Sequence, residues 1–106
     1  MTIIKCLSEK IEEELNDAEA YIDLAMKWKT DEPDTADVFY ELSTEEMGHV
    51  DKLHKEVTEL IEDYRREHGE PPKEMMVLYD YLHEKHVAHA THIKIKQAMY
   101  KADKAA

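Results

Sequence analysis

Residues 42–54 read LSTEEMGHVDKLH, and this stretch raises the main structural question of the chain. Its apolar residues recur at helical spacing and are Leu42, Val50 and Leu53. Glu46 and His49 fall on the same stripe, three residues apart, where an amphipathic helix places apolar side chains. An unpaired charge in such a seam costs several kcal/mol, so a carboxylate and an imidazole there need a compensating partner.

Two short breaks divide the chain into three periodic segments. DEPD and HGEPP together hold all three prolines, and the second break holds Gly69, which we expect to end a helix. We expect Asp34 to cap the helix that follows the first break. The segments are rich in helix-favouring residues, and none alternates with the period of a strand. We therefore predict one all-α domain over residues 1–106, with three long helices at roughly 3–30, 35–68 and 72–102.

The composition is strongly acidic, with a formal net charge of −11. Repulsion therefore disfavours nucleic acid and anionic membranes as partners, whereas cations are attracted. No apolar run approaches the roughly 20 residues of a transmembrane helix. The single cysteine, Cys6, excludes an internal disulfide framework and the paired CxxC knuckles of a rubredoxin-type iron site. We expect a cytoplasmic protein.

A further carboxylate lies on the seam predicted for the first helix. Steps of four and three residues trace an apolar stripe in which Glu14 occupies a core position. The members of the stripe are Leu7, Ile11, Glu14, Ala18, Tyr21, Ala25 and Trp28. Glu14 stands at the level of its helix that matches Glu46 and His49 on the next helix. These three residues are therefore candidate metal ligands.

Other interpretations of Glu46 and His49 need no metal. Ser43 and Glu46 have the spacing of a capping box, which would start a new helix at this point. The apolar phase passes through Ser43 without a slip, which argues against a new start. Alternatively, Glu46 and His49 form a buried salt bridge or lie together at an exposed rim. The separate Glu14 favours a metal site over these alternatives.

The spacing Glu14-x3-Ala18-x2-Tyr21 followed by Glu46-x2-His49 resembles the first half of a ferritin-like, carboxylate-bridged di-iron protein. The phrases EELNDAEAYIDLA and FYELSTEEMGHVDKLHKEV are similar in texture to the rubrerythrin branch of that superfamily. The resemblance implies Glu14 as a terminal or bridging ligand, Glu46 as a bridging ligand and His49 as a nitrogen ligand. It also implies Tyr21 as a tyrosine next to the ligands, which completes a predicted catalytic set of four residues.

The chain departs from that family in carrying only one half of the pattern, since no second ExxH follows. The missing half is expected from a second copy, so that the first two helices form half of a ferritin-like four-helix bundle completed by a dimer. This arrangement resembles the encapsulated half-ferritins, and an encapsulating shell is therefore a possible partner of the homo-oligomer. Two glutamates from each of two chains balance the charge of two ferrous ions.

The third helix is rich in histidine and reads HEKHVAHATH at residues 83–92. Glu84, His86 and His89 are candidate accessory ligands, and Glu84 is a candidate for completing the site within one chain. The alternative is a solvated polar face with some rings packed on neighbouring helices. We favour that alternative, because consecutive three-residue steps drift around a helix and do not converge. His54 and His68 are expected at the surface.

The resemblance implies a ferroxidase that binds and oxidises Fe(II) at a di-iron site, for iron storage or detoxification. Manganese or zinc are possible metals in place of iron. One alternative is a rubrerythrin-like peroxidase that takes electrons from a separate donor protein. The other is a non-catalytic helical oligomer, either metal-binding or purely structural. Metal content after purification separates the third possibility from the first two.

Overall fold

The chain folds into three long helices, as the sequence predicts. The computed structural model describes residues 2–106, in which α1 spans Thr2–Trp28, α2 spans Pro33–His68 and α3 spans Lys73–Ala105. The molecule is elongated, with principal extents of 55 × 19 × 18 Å. Across residues 2–106, no helix combines the length and the apolar character that crossing a bilayer requires.

The two helix boundaries follow from local chemistry. Gly69 ends α2 as predicted, with a φ of +79° and its N–H donating to the Arg65 carbonyl at 3.0 Å. This left-handed conformation carries no steric penalty for glycine. The prediction that Asp34 caps α2 is wrong, because the helix already begins at Pro33, whose missing N–H suits a first turn. Asp34 instead places its charge in that turn, where the helix dipole favours it.

The α1 and α2 helices run antiparallel and form most of the core. Ala18 lies opposite Ser43, and Tyr21 stacks on Phe39 with the ring centroids 6.3 Å apart. The seam predicted for α1 is confirmed at Ile11, Ala18 and Ala25, but the centre of the buried face is displaced by a fraction of a turn from the predicted one. Its buried residues are Ile4, Ser8, Ile11, Leu15, Ala18, Ile22 and Ala25. The predicted members Leu7, Glu14 and Tyr21 are only half-buried, and Trp28 is exposed. The shift arises because α1 contacts both other helices and its buried arc turns toward α3.

The α3 helix packs on one side of the α1–α2 pair. It runs parallel to α1, with Lys29, the residue after α1, paired to Asp103 at 2.6 Å, and antiparallel to α2. Tyr100 stacks on Tyr40 at 5.1 Å and donates a hydrogen bond to Asp37 at 2.5 Å. Only two of its residues, Ile93 and Tyr100, are buried. Polar and ring contacts therefore hold much of α3 in place.

Ser43 marks the point where the three helices meet. It is fully buried inside an uninterrupted α2, donates to the Ala18 carbonyl at 2.7 Å and accepts from Gln97 of α3 at 2.9 Å. The capping-box interpretation of Ser43 and Glu46 is therefore excluded. The unbroken helix keeps Glu46 and His49 on one face of α2, three residues apart.

Candidate metal centre

The structure brings together the three candidate ligands predicted from the sequence. Glu14 projects from α1, and Glu46 and His49 project from α2. One ligand atom from each lies within 4.8 Å of the other two, and no other group of three such residues in the described part of the chain meets this condition. We call Glu14, Glu46 and His49 the triad. The antiparallel register that pairs Ala18 with Ser43 also sets Glu14 opposite the turn from Glu46 to His49.

One nitrogen of the triad faces two carboxylates. The His49 Nδ1 atom lies 3.4 Å from Glu14 Oε2 and 3.6 Å from Glu46 Oε2. Its single N–H serves at most one acceptor well, and 3.6 Å is too long for a hydrogen bond. Glu46 Oε2 is buried and has no hydrogen-bond partner among the described residues. The salt-bridge alternative therefore leaves one buried carboxylate oxygen unsatisfied.

Exposure within the triad is graded. The exposed fraction of the side chain is 18% for Glu46, 27% for Glu14 and 52% for His49. Half-buried apolar and aromatic residues continue the same stripes of α1 and α2 at helical spacing, namely Leu7, Tyr21, Leu42, Leu53 and Leu60. The triad and these residues together form one surface of the α1–α2 pair. We call this surface the triad face.

The donor set fits a divalent transition metal. Two carboxylates and an imidazole offer oxygen and nitrogen atoms, a combination that suits iron and manganese and also zinc. The unpartnered oxygen of Glu46 is the atom that such an ion would satisfy. Tyr21, the fourth residue of the predicted catalytic set, lies two turns along α1 from Glu14 and stacks on Phe39. Its ring borders the triad face.

The candidates on α3 do not join the triad. Glu84 is exposed, and His89 Nε2 contacts Glu19 Oε1 of α1 at 3.1 Å. His86 is half-buried in a cleft on the α3 side of the molecule. Five residues separate Glu14 from Glu19, which is a rotation of about 140° around the helix. The triad therefore faces away from α3.

Glu19 is the centre of a second polar cluster. His92 Nε2 and Lys96 Nζ each lie 3.3 Å from its Oε2 atom, and Lys96 also contacts Asp23 at 2.8 Å. We call Glu19, Asp23, His89, His92 and Lys96 the Glu19 cluster. Burial raises the pKa of Glu19, but hydrogen bonds from His89 and Lys96 outweigh it, so the pKa lies below its usual value. The pKa of Lys96 is raised, chiefly by its hydrogen bond to Asp23.

His54 is a residue that the sequence prediction misplaced. It is half-buried and its ring stacks on His83 of α3, with the centroids 4.8 Å apart and the planes inclined by 18°. The surface assignment of His54 is therefore wrong. A signal was present in the sequence, because His54 lies eleven residues after Ser43 and returns to nearly the same side of α2.

Protein-family models, curated proteins and solved structures were each compared with this chain, and none of the three comparisons found a match.

Proposed function

We propose that two copies of this chain bind and oxidise Fe(II) at a site formed by their triads. The observation that carries the proposal is the buried, unpartnered Oε2 atom of Glu46, which shares a small space with Glu14 and His49. A buried carboxylate oxygen without a hydrogen-bond donor destabilises the fold unless a cation neutralises its charge. The resemblance to the ferritin-like superfamily supports iron as that cation.

The need for a second copy follows from the ligand count. Ferritin-like dinuclear sites draw a Glu from each of two helices and a Glu-x-x-His from each of two others. One chain supplies one of each. The triad face supports the pairing, because half-buried apolar residues lie on the same stripes as the triad and α3 packs on the other side of the pair. Two copies related by a twofold axis would place the two triad faces together.

The residue types suit the chemistry. A carboxylate holds its negative charge next to a divalent ion and can bind with one oxygen or bridge with two, which accommodates the rise in charge on oxidation. Each Fe(II) gives up one electron. Two ions therefore supply the two electrons that, with two protons, reduce dioxygen to hydrogen peroxide, or peroxide to water. The net charge of −11 favours the approach of ferrous ions.

The first experiment measures Fe(II) oxidation in air by the rise in ferric absorbance. Glu46→Ala is expected to reduce the rate to that of buffer while leaving the helical circular dichroism intact. Glu45→Ala is the matched control, since Glu45 is the exposed neighbour on the same turn. Oxidation at the wild-type rate by the Glu46 variant would exclude the triad as the site.

Metal analysis and sedimentation separate the remaining possibilities. Two irons per pair of chains supports the proposal, whereas no bound metal supports a helical oligomer without turnover. Sedimentation of the iron-loaded protein should give a dimer or a larger assembly. A monomer that still binds two ions would contradict the shared site. Peroxide consumption that requires an added electron donor would indicate the rubrerythrin-like peroxidase.

A further inference from the structure

A cleft of about 200 Å³ lies on the α3 side of the molecule, away from the triad. Three of the seven histidines line it, and they are His54 of α2 with His83 and His86 of α3. We call these three residues the histidine cleft. His54 lies five residues beyond His49, a rotation of about 140° around α2, so the two histidines serve opposite sides of the helix pair.

The register of α2 and α3 brings the three rings to one level. Tyr40 meets Tyr100 and Ser43 meets Gln97, so each step forward on α2 matches an equal step back on α3. Continuing this register sets His86 opposite His54. His83 lies one turn away from His86 on the same face, and its ring stacks on His54.

These histidines differ from the others in their partners. His49, His68, His89 and His92 each have a carboxylate within ion-pair distance. Within residues 2–106, no hydrogen bond or ion pair involves the imidazole rings of His54, His83 or His86, and the ring contacts are His54 with His83 and Tyr79 with His83 at 5.7 Å. Three half-buried imidazoles therefore keep nitrogen lone pairs that no protein group uses.

The surroundings of His54 and His86 favour the neutral form of these two rings. Burial lowers the pKa of His54, and the charge of His83 lowers it further, while Asp51 opposes both. Burial also lowers the pKa of His86, and Glu12 opposes this effect, whereas His83, His89 and Lys85 add to it. Lys94 also lines the cleft. Neutral imidazole is the form that coordinates a metal ion.

We propose that the histidine cleft binds one divalent ion of the imidazole-preferring class, Zn²⁺ above all, through His54, His83 and His86. Nitrogens bound to zinc at 2.0–2.1 Å in a tetrahedral site lie roughly 3.4 Å from each other. The ring nitrogens of the three histidines do not all lie within 4.8 Å of one another, so binding requires the rings of the stacked pair, with centroids 4.8 Å apart, to rotate about χ2. His83 and His86, three apart on α3, reach the same ion from adjacent turns. Water or Asp51 would complete the fourth position.

This site differs from the triad in ligand chemistry as well as in place. Three imidazoles and no obligatory carboxylate favour zinc, cobalt, nickel or copper over ferrous iron. The ion would bridge α2 and α3, whose direct contacts are few. It therefore adds a link between helices that the triad does not join.

The test titrates Zn²⁺ into the Glu46→Ala chain by calorimetry, so that the triad does not contribute. One Zn²⁺ per chain is expected, and His83→Ala or His86→Ala in that background should weaken binding at least about tenfold. His92→Ala is the matched control, because His92 lies on the same helix and outside the cleft. Because Glu46→Ala removes a ligand of the proposed iron site, Zn²⁺ binding by this variant tests the histidine cleft independently of the proposed function.

Nuclear magnetic resonance provides a measurement that needs no substitution in the cleft. The imidazole C–H resonances of His54, His83 and His86 should shift together on addition of one equivalent of Zn²⁺ to the Glu46→Ala chain, and that of His68 should not. The proposal is overturned if Zn²⁺ does not bind, if the cleft variants bind it as tightly as their parent, or if other histidines shift instead.

Discussion

The triad and the Glu19 cluster use the same residue types on opposite sides of α1, yet only one of them contains a permanent cation. In the Glu19 cluster, Lys96 reaches both Glu19 and Asp23, and two histidines contact the same carboxylate. In the triad, no lysine or arginine is within ion-pair distance of Glu14 or Glu46 in the described chain. Acidic residues near histidines can form either a metal site or an internal ion-pair cluster. Whether a lysine or arginine contacts them distinguishes the two.

The largest contrast is expected when Fe(II) is added without oxygen. An ion that binds only the folded state stabilises it by RT ln(1 + [L]/Kd), which is roughly 2.7 kcal/mol at a hundredfold excess over Kd. Glu46→Ala and His49→Ala should lose this gain, and Glu19→Gln should keep it. The measurement is the shift in Tm for the four proteins. A rise in Tm that is lost in Glu19→Gln and kept in Glu46→Ala would place the ion at the Glu19 cluster and not at the triad.

A smaller effect is expected from removing the internal cation of the Glu19 cluster. Lys96→Met leaves the carboxylates of Glu19 and Asp23 without their lysine, and we expect a loss of about 1 kcal/mol in the free energy of unfolding, after allowance for partial exposure. Urea denaturation of the metal-free protein measures it. Lys94→Met is the control, since Lys94 is exposed and forms no ion pair among the described residues. Equal losses in both variants would show that Lys96 is not the stabilising cation.

Removing a charge from the metal-free triad should have the opposite effect on the free energy of unfolding. Glu46→Gln removes the charge from a half-buried carboxylate without a partner, so the free energy of unfolding should stay constant or rise by up to about 1 kcal/mol. Glu45→Gln, at an exposed position, should change it by less than about 0.5 kcal/mol. A marked loss on Glu46→Gln would indicate that Glu46 and His49 form a structural ion pair.

The smallest effect concerns acid stability. The pKa of Glu19 is lowered in the folded chain, so its contribution is fully present above the unfolded value of roughly 4.3 and is lost as pH falls through the folded value. Wild type should therefore lose stability below that pH more steeply than Glu19→Gln. Parallel urea titrations across this range give the difference in slope. Identical slopes would mean that Glu19 makes no such contribution.

The sequence alone predicts much of this architecture, because helix ends and periodicity are local properties. Gly69 ends α2 where its freedom of φ predicts. The proximity of Glu14 to Glu46 and His49 also follows from their matching levels on two adjacent helices. Local periodicity does not determine which residues of α1 are buried, because this depends on the side of α1 that α3 covers. Helical spacing allows both the Leu7–Glu14–Tyr21 stripe and the neighbouring stripe through Leu15 and Ile22.

The polar contacts of α3 lie beyond local prediction for a related reason. His54 is a polar residue in a charged segment, and only the register with α3 places His83 against it. Likewise, His89 looks like a possible ligand until Glu19 and Lys96 are found beside it. Contacts between helices decide whether an imidazole pairs with a carboxylate, keeps an unused lone pair or faces solvent. The apolar periodicity of a single helix does not reveal these contacts.

The uneven anchoring of α3 has a kinetic consequence. Its two buried residues, Ile93 and Tyr100, lie in its C-terminal half, whereas residues 73–85 are held by partly buried side chains such as Tyr79. Local opening of that half needs less free energy than global unfolding, and its amide protons should exchange with solvent first. Opening there separates His83 from His54 without disturbing Glu14, Glu46 or His49. We therefore expect an ion held between α2 and α3 to slow amide exchange in residues 73–85 and to leave exchange around the triad unchanged.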